Sequence, residues 1–162
     1  MAKATRATQM LETHRVAFSV HTYDYDPNAQ RTGLQAAEAL GEAPARVLKT
    51  LMVLVDGKPV CAIVPSDCEV SMKRLAAAFG GRSAQMMKPA DAERLTGYKV
   101  GGISPFGQRR AVPTAVEKSA LIHPYVFING GQRGLQVKLS PHDAQKTLGA
   151  SAAALVTQTG EP

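Results

Sequence analysis

Long apolar runs, clustered metal ligands and nucleotide-binding fingerprints are all missing from this 162-residue chain. The run Leu51–Val55 is as long as any apolar stretch gets, far short of the ~20 residues that cross a bilayer as a helix. A membrane partner is therefore not expected. The first residues, Met1-Ala2-Lys3-Ala4-Thr5-Arg6, lead into a polar amphipathic segment, so no secretory signal is expected either. Cys61 and Cys68 are the only cysteines, with no histidine cluster beside them. Neither a zinc site nor a redox CxxC is indicated, and a cytoplasmic protein with reduced thiols is the simple reading. There is no P-loop, no GxGxxG after a strand and no HExxH. His14, His123 and His142 have no carboxylate and nucleophile arranged around them as a Ser–His–Asp site requires, and His21, alone near a strand end, reads as a base or, more often for such a residue, as structural. No metal or other cofactor is called for. Internal repeats, low-complexity tracts and linkers are absent as well, and the length predicts one domain over residues 1–162.

What is present is positive charge, unevenly placed. The formal net charge is +6; residues 1–81 carry nine Lys+Arg against eight Asp+Glu, and residues 82–162 ten against five. Excess positive charge favours an anionic partner, nucleic acid above all. The same half holds Thr96-Gly97-Tyr98-Lys99-Val100-Gly101-Gly102-Ile103-Ser104-Pro105-Phe106-Gly107, four glycines in twelve residues. Such a stretch suits neither a helix interior nor a central strand. It reads as a long structural turn or as a site whose backbone N–H groups cradle an anion or a carbonyl oxygen.

Along the chain, the periodicity predicts a helix from Thr5 to Arg15 and a strand from Ala17 to Tyr25. On that strand Phe18, Val20 and Thr22 alternate with Ser19, His21 and Tyr23. A helix capped by Thr32 and closed by Gly41 follows, then a short turn of helix from Pro44. Lys49–Val55 is apolar on both faces and reads as a central strand, and Asp56-Gly57 turns it into a hairpin with Pro59–Val64. Further helices are expected from Ser71 to Phe79 and from Pro89 to Leu95, with a short strand near Ala84–Met87 between them. Glu117–Leu121 is expected to be briefly helical, Tyr125–Asn129 and Leu135–Leu139 to be strands around a glycine turn, and Pro141–Leu148 to be a helix capped by Ser140. The Ala-rich tail after Ala150 is expected to form one more short helix, fraying near Gln158. Interleaved helices and hairpins predict an α+β, mixed α/β architecture rather than a doubly wound parallel sheet.

Lys49 is the singular residue of the central strand, sharing a face with Leu51, Val53 and Val55. A lysine there either snorkels to water or points into a cleft, where its ammonium can donate to a substrate oxygen. Tyr23 lies on a polar-edged strand face that lines a pocket or faces water. Asn129-Gly130-Gly131-Gln132-Arg133-Gly134 is a hairpin turn with Arg133 at its tip, placed to contact a phosphate.

His21-Thr22-Tyr23 with Asp26-Pro27, Lys49-Thr50-Leu51, the segment Gly97–Gly107 and Gly130-Gly131-Gln132-Arg133-Gly134-Leu135 occur in the order and spacing of the YbaK/EbsC family, which the chain resembles over nearly its whole length. That family is similar to the editing domain of bacterial prolyl-tRNA synthetase, and the resemblance implies a mixed, barrel-like β-sheet surrounded by helices. It also implies hydrolytic clearing of mischarged tRNA in trans, typically Cys-tRNA(Pro), with the acceptor end of tRNA as partner and prolyl-tRNA synthetase as a further one. The implied catalytic positions are Lys49, Gly101 and Gly102. The implied substrate-binding positions are Tyr23, Thr50, Ser104, Gly130, Gly131 and Gln136. Some deacylase members carry Asp where this chain has Gln136, which puts the exact substrate in question. Lys99, Arg109, Arg110 and Arg133 are the basic residues expected on the tRNA backbone. A non-catalytic module that binds tRNA ends or nucleotides is the alternative, since it needs the same basic surface and glycine loop.

Overall fold

A computed structural model describes residues 4–28 and 32–157. The chain runs α1 (Arg6–Thr13), β1 (Phe18–Thr22), α2 (Thr32–Leu40), a 3-10 turn (Pro44–Arg46), β2 (Leu48–Val55), β3 (Lys58–Pro65), α3 (Met72–Ala78), β4 (Ala84–Met86) and α4 (Pro89–Thr96). After the glycine-rich loop come β5 (Thr114–Glu117), a second 3-10 turn (Lys118–Ile122), β6 (Val126–Gln132), β7 (Leu135–Leu139), α5 (Pro141–Leu148) and β8 (Ser151–Ala153). The strands form two sheets, ordered β1-β7-β6 and β4-β2-β3-β5-β8. A parallel bridge, Val47 to Phe127, ties one to the other. The expected α+β class with a mixed sheet is what the structure has, drawn as two sheets joined at a corner.

Two expectations are corrected. Residues 114–117, assigned no strand from the sequence and overlapping the expected helical segment at Glu117, form β5, which runs parallel to β3. The tail after Ala150 forms β8, parallel to β5, in place of a helix. Alanine favours helix locally, but Glu117 overrides that preference. Its carboxylate is buried and accepts from the Leu155 N–H at 2.8 Å and the Val156 N–H at 3.3 Å through Oε1, and from the Ser119 N–H at 2.9 Å through Oε2. The capping side chain of Thr32 and the expected fraying near Gln158 lie outside the described residues.

Burial pushes the Glu117 pKa up, but the hydrogen bonds from Leu155, Ser119 and Val156 outweigh it, and the net value is lowered from 4.5. The folded state thus holds the ionised form more firmly than the unfolded chain does. That stability is present above the unfolded pKa and is lost as the pH falls through the folded one. Glu117→Gln is expected to cost about 1–3 kcal/mol at pH 7. The difference from wild type should shrink as denaturant melts are taken down to acid pH; a gap that stays constant with pH would contradict this role.

Most of the core lies between the β1-β7-β6 sheet, α1, α5 and the inner face of β2 and β3, with Leu11, Ile63, Phe106, Ile128 and Val137 fully enclosed. Val53, Val64 and Leu75 belong to a second cluster under α3. Between the two sheets, beside α4, lies the cavity described next.

Candidate active site

The glycine-rich loop starts where the sequence places it, at the end of α4. Gly97 adopts φ +81° as the C-cap, and its N–H donates to Glu93 O. Thr96 is buried and its hydroxyl both donates to Ala92 O at 2.8 Å and accepts from the Tyr98 N–H at 3.1 Å. Tyr98 is then driven inward, and its hydroxyl donates to Phe106 O at 2.6 Å, closing the loop across its own base. Burial pushes that phenol up to about 12, so it stays a donor at any working pH.

Gly101 and Gly102 are required by how closely this loop approaches the β6–β7 hairpin. A Cβ on Gly102 would sit 2.7 Å from Arg133 N and 2.9 Å from Gln132 C, both backbone. Gly101 has φ +91°, and a Cβ there would meet the Tyr25 hydroxyl at 2.5 Å. The Gly102 N–H is already committed to Lys99 O at 2.8 Å. Of the N–H groups near Gly101-Gly102 expected to act as donors, that of Gly102 is therefore taken. The Gly101 N–H has no acceptor among the described residues.

The cavity measures about 290 Å³ and its walls include Tyr23, Lys49, Thr50, Gly101, Asn129 and Gln136, with Met52, Met87 and Ile103 among the apolar ones. Residues that the resemblance gathers from four separate stretches thus meet around one hollow. Among the described residues no Asp, Glu, His or Cys lines it, and no three such residues elsewhere are grouped to hold a metal ion. The site supplies a cation, amides and hydroxyls, and no protein nucleophile or carboxylate base.

β2 opens the cavity by leaving part of its outer edge unpaired. In an antiparallel ladder alternate residues turn both backbone groups to the same side. Met52 O accepts from the Met87 N–H, and the Asp56 N–H donates to Ser83 O, so the even-numbered residues of β2 face outward. β4 pairs only with Val53–Val55, and β6 meets this strand only at the Val47 bridge. Thr50 falls in the gap, beyond the reach of β4 and past the Val47 bridge. Its side-chain Oγ1 is buried without a partner. Gln136, 4% exposed, has the same defect at Oε1. Most buried polar side-chain atoms are hydrogen-bonded; Thr50 Oγ1 and Gln136 Oε1, both on residues of this hollow, are exceptions.

Lys49 lines this cavity, and its positive charge also reaches Cys68. The Cys68 thiol is nevertheless raised, by burial first and by the neighbouring Asp67 second. Cys61 is fully buried and pushed up to about 12 by desolvation. Neither thiol is a ready nucleophile.

Several sequence-predicted positions do other work. Ser104 is fully buried within the loop, where its Oγ accepts from the Phe106 N–H at 3.1 Å, and it does not line the cavity. Gly130 and Gly131 form a bulge in β6. A Cβ on Gly130 would strike the Leu135 side chain, and Gly131, at φ +95°, lies against the Tyr98 ring. They support the hairpin rather than touch the cavity. Arg133 donates through Nε to Val100 O at 2.8 Å and stacks over the Tyr25 ring, so it straps the hairpin to the glycine loop. Lys99, Arg109 and Arg110 are exposed. Arg110 lines a separate hollow of about 440 Å³ with Lys58. Asn129 is the site residue that sequence reasoning missed. Its Oδ1 accepts from the Gly131 and Gln132 N–H groups and its Nδ2 donates to Gly101 O, which fixes the bulge against the loop. An asparagine directly before two glycines was the available signal.

The residues gathered here line a small pocket with a lysine, amides and hydroxyls in its walls. Residues 27–147 match the family described as the aminoacyl-tRNA editing domain. EbsC of Enterococcus faecalis, a protein named for Cys-tRNA(Pro)/Cys-tRNA(Cys) deacylase activity, is 34% identical over 139 residues, covering 85% of this chain and 84% of its own. A proline–tRNA ligase of Acidithiobacillus ferrooxidans is 32% identical over 91 residues, which are 56% of this chain and 16% of the ligase. In three dimensions the chain superposes on a solved structure described as a trans-editing enzyme for prolyl tRNA synthetase, with a TM-score of 0.80 at 21% identity over 97% of this chain and all of that one. The chain belongs to the aminoacyl-tRNA editing domain family.

Proposed function

We propose that this protein is a trans-acting deacylase that clears mischarged aminoacyl-tRNA, with Cys-tRNA(Pro) as its main substrate. The observation that carries the reading is the paired vacancy of hydrogen-bonding capacity at Thr50 and Gln136, inside a hollow sized for a small aminoacyl group. The ester carbonyl is placed against the open edge of β2, where the Thr50 N–H and the Lys49 ammonium stabilise the oxyanion that develops on attack. The Gly101 N–H supports it from the loop. With no nucleophile in the walls, the attacker comes with the substrate: the cysteinyl thiolate closes onto its own carbonyl and the tRNA 3′ oxygen departs, taking up the proton given up by the thiol. Water attack is the slower route for other aminoacyl groups. The exposed basic side chains of Lys99 and Arg109 flank the loop and meet the tRNA backbone.

A panel of cysteinyl-, alanyl- and seryl-tRNA, each followed for release of free tRNA, tests this. Cysteinyl-tRNA should be cleared fastest and seryl-tRNA, its oxygen isostere, much more slowly. Equal rates on these two would remove the thiol from the mechanism. Thr50→Val carries a separate prediction. The hydroxyl is unsatisfied in the free protein, and valine is isosteric and favoured in strands. Thermal stability is expected to stay level or rise, while kcat/KM falls about tenfold. A variant that loses stability and keeps its activity would show that the hydroxyl serves the fold.

A further inference from the structure

Gln136 sits at the centre of the β1-β7-β6 sheet, opposite His21 on one side and Asn129 on the other. Its side chain is beside the Tyr23 hydroxyl, in a hydrogen bond that partly offsets the rise that burial imposes on that phenol. Oε1 is the end of the amide without a partner, so the N–H₂ is the end beside the phenol. Gln136 lines the cavity and is 4% exposed as a residue, and its carbonyl Oε1 is buried without a partner. Asn129, the other amide of this wall, has both ends committed to backbone. Gln136 Oε1 is therefore an unpartnered acceptor on the sheet wall, whereas the β2 wall carries a lysine. The cavity is polar in a directed way: donors and positive charge on one side, a bare acceptor on the other.

An aminoacyl ester has the matching polarity. Its carbonyl oxygen accepts, and its α-ammonium group donates and is positively charged. Placed with the carbonyl toward Lys49 and Thr50, the ammonium is directed away from the lysine and toward the acceptor wall. We propose that Gln136 Oε1 receives the α-ammonium group of the bound aminoacyl ester, making Gln136 the residue that selects a free α-amine and fixes the orientation of the substrate. This rests on the deacylase reading and deepens it. A neutral carbonyl accepts from an ammonium without requiring a buried carboxylate, which would be costly to hold in the empty cavity. Hydrogen bonds to charged groups are about twice as strong as neutral ones, so an α-hydroxyacyl ester of the same shape should be held less well.

The test compares alanyl-tRNA with its α-hydroxy isostere, lactyl-tRNA, each rate divided by that ester's spontaneous hydrolysis. Wild type should prefer alanyl-tRNA by about tenfold or more. Gln136→Met, similar in shape and apolar, should reduce the preference to within about threefold, mostly by losing alanyl-tRNA turnover. Gln136→Glu should restore it. Thermal melts accompany both variants, and two variants with opposite expectations guard against simple misfolding. Binding provides a readout independent of turnover: amide-linked 3′-alanyl-adenosine should bind wild type about tenfold more tightly than the lactyl analogue, and Gln136→Met should remove the difference. A preference that survives in Gln136→Met, or is absent from wild type, overturns the assignment. Failure to turn over any ester, with the binding preference intact, would instead overturn the deacylase reading and leave the role of Gln136 standing.

Discussion

Replacing Lys49 with methionine is expected to lower kcat/KM on Cys-tRNA(Pro) by about 10²–10³-fold, the usual loss when one oxyanion donor is removed from an acyl-transfer site. The expectation follows from position. Lys49 lies at the entry of β2, next to Thr50, and lines the cavity that Gln136 also lines. Among the described residues no arginine, histidine or second lysine lines the cavity to take over its charge. Methionine keeps the length and apolar stem of lysine, so packing along the Leu51 and Val53 face is preserved. The loss should fall on kcat more than on KM, because the oxyanion exists only in the transition state. Single-turnover rates with protein in excess would check this; a variant with wild-type rates would remove Lys49 from the chemistry.

Gly102→Ala is the second large effect, and it acts through space rather than through a missing donor. The added Cβ has nowhere to go: its three nearest neighbours are backbone atoms of Gln132 and Arg133, at 2.7, 2.9 and 3.1 Å. The hairpin must part from the loop, which also strains the Arg133 bond to Val100 O and the Asn129 bond to Gly101 O. Overpacking of this kind costs about 1–3 kcal/mol. Because the loop forms one wall of the cavity, kcat/KM should drop about 10²-fold, in keeping with the cost of a roughly 1 Å misplacement at a reacting centre. Denaturant midpoints and deacylation rates measured on the same preparation separate the two losses. A variant of full stability and full activity would mean that the close contact is not rigid.

The elements that were plain in the sequence are those fixed by local chemistry. Gly97 ends α4 because a left-handed cap was needed there, Ser140 and Gly149 bracket α5, and Asp56-Gly57 turns β2 into β3. β5 and β8 were not legible, since both are short, parallel and held by partners far away in the chain. The alanines of β8 carry no strand signal, and the buried Glu117 that anchors the following segment looks like any surface acid when read alone. The site divides in the same way. Lys49, Thr50, Tyr23 and Gln136 were named from their motifs, and the structure brings all four to one cavity. Ser104, Gly130 and Gly131 belong to the same motifs but serve the loop and the bulge. Sequence spacing records that a motif exists; which of its members face the hollow depends on strand register and on the direction of each side chain.

We propose that this cavity hydrolyses or cyclises an aminoacyl ester off tRNA. The most direct test is the single-turnover release of free tRNA from Cys-tRNA(Pro) by the intact chain in excess. Release at least about 10²-fold above the spontaneous rate is predicted, in line with a pre-organised oxyanion site. Tight binding of the charged tRNA with release no faster than in buffer would contradict it, and would identify the fold here as a module that holds tRNA ends without acting on them.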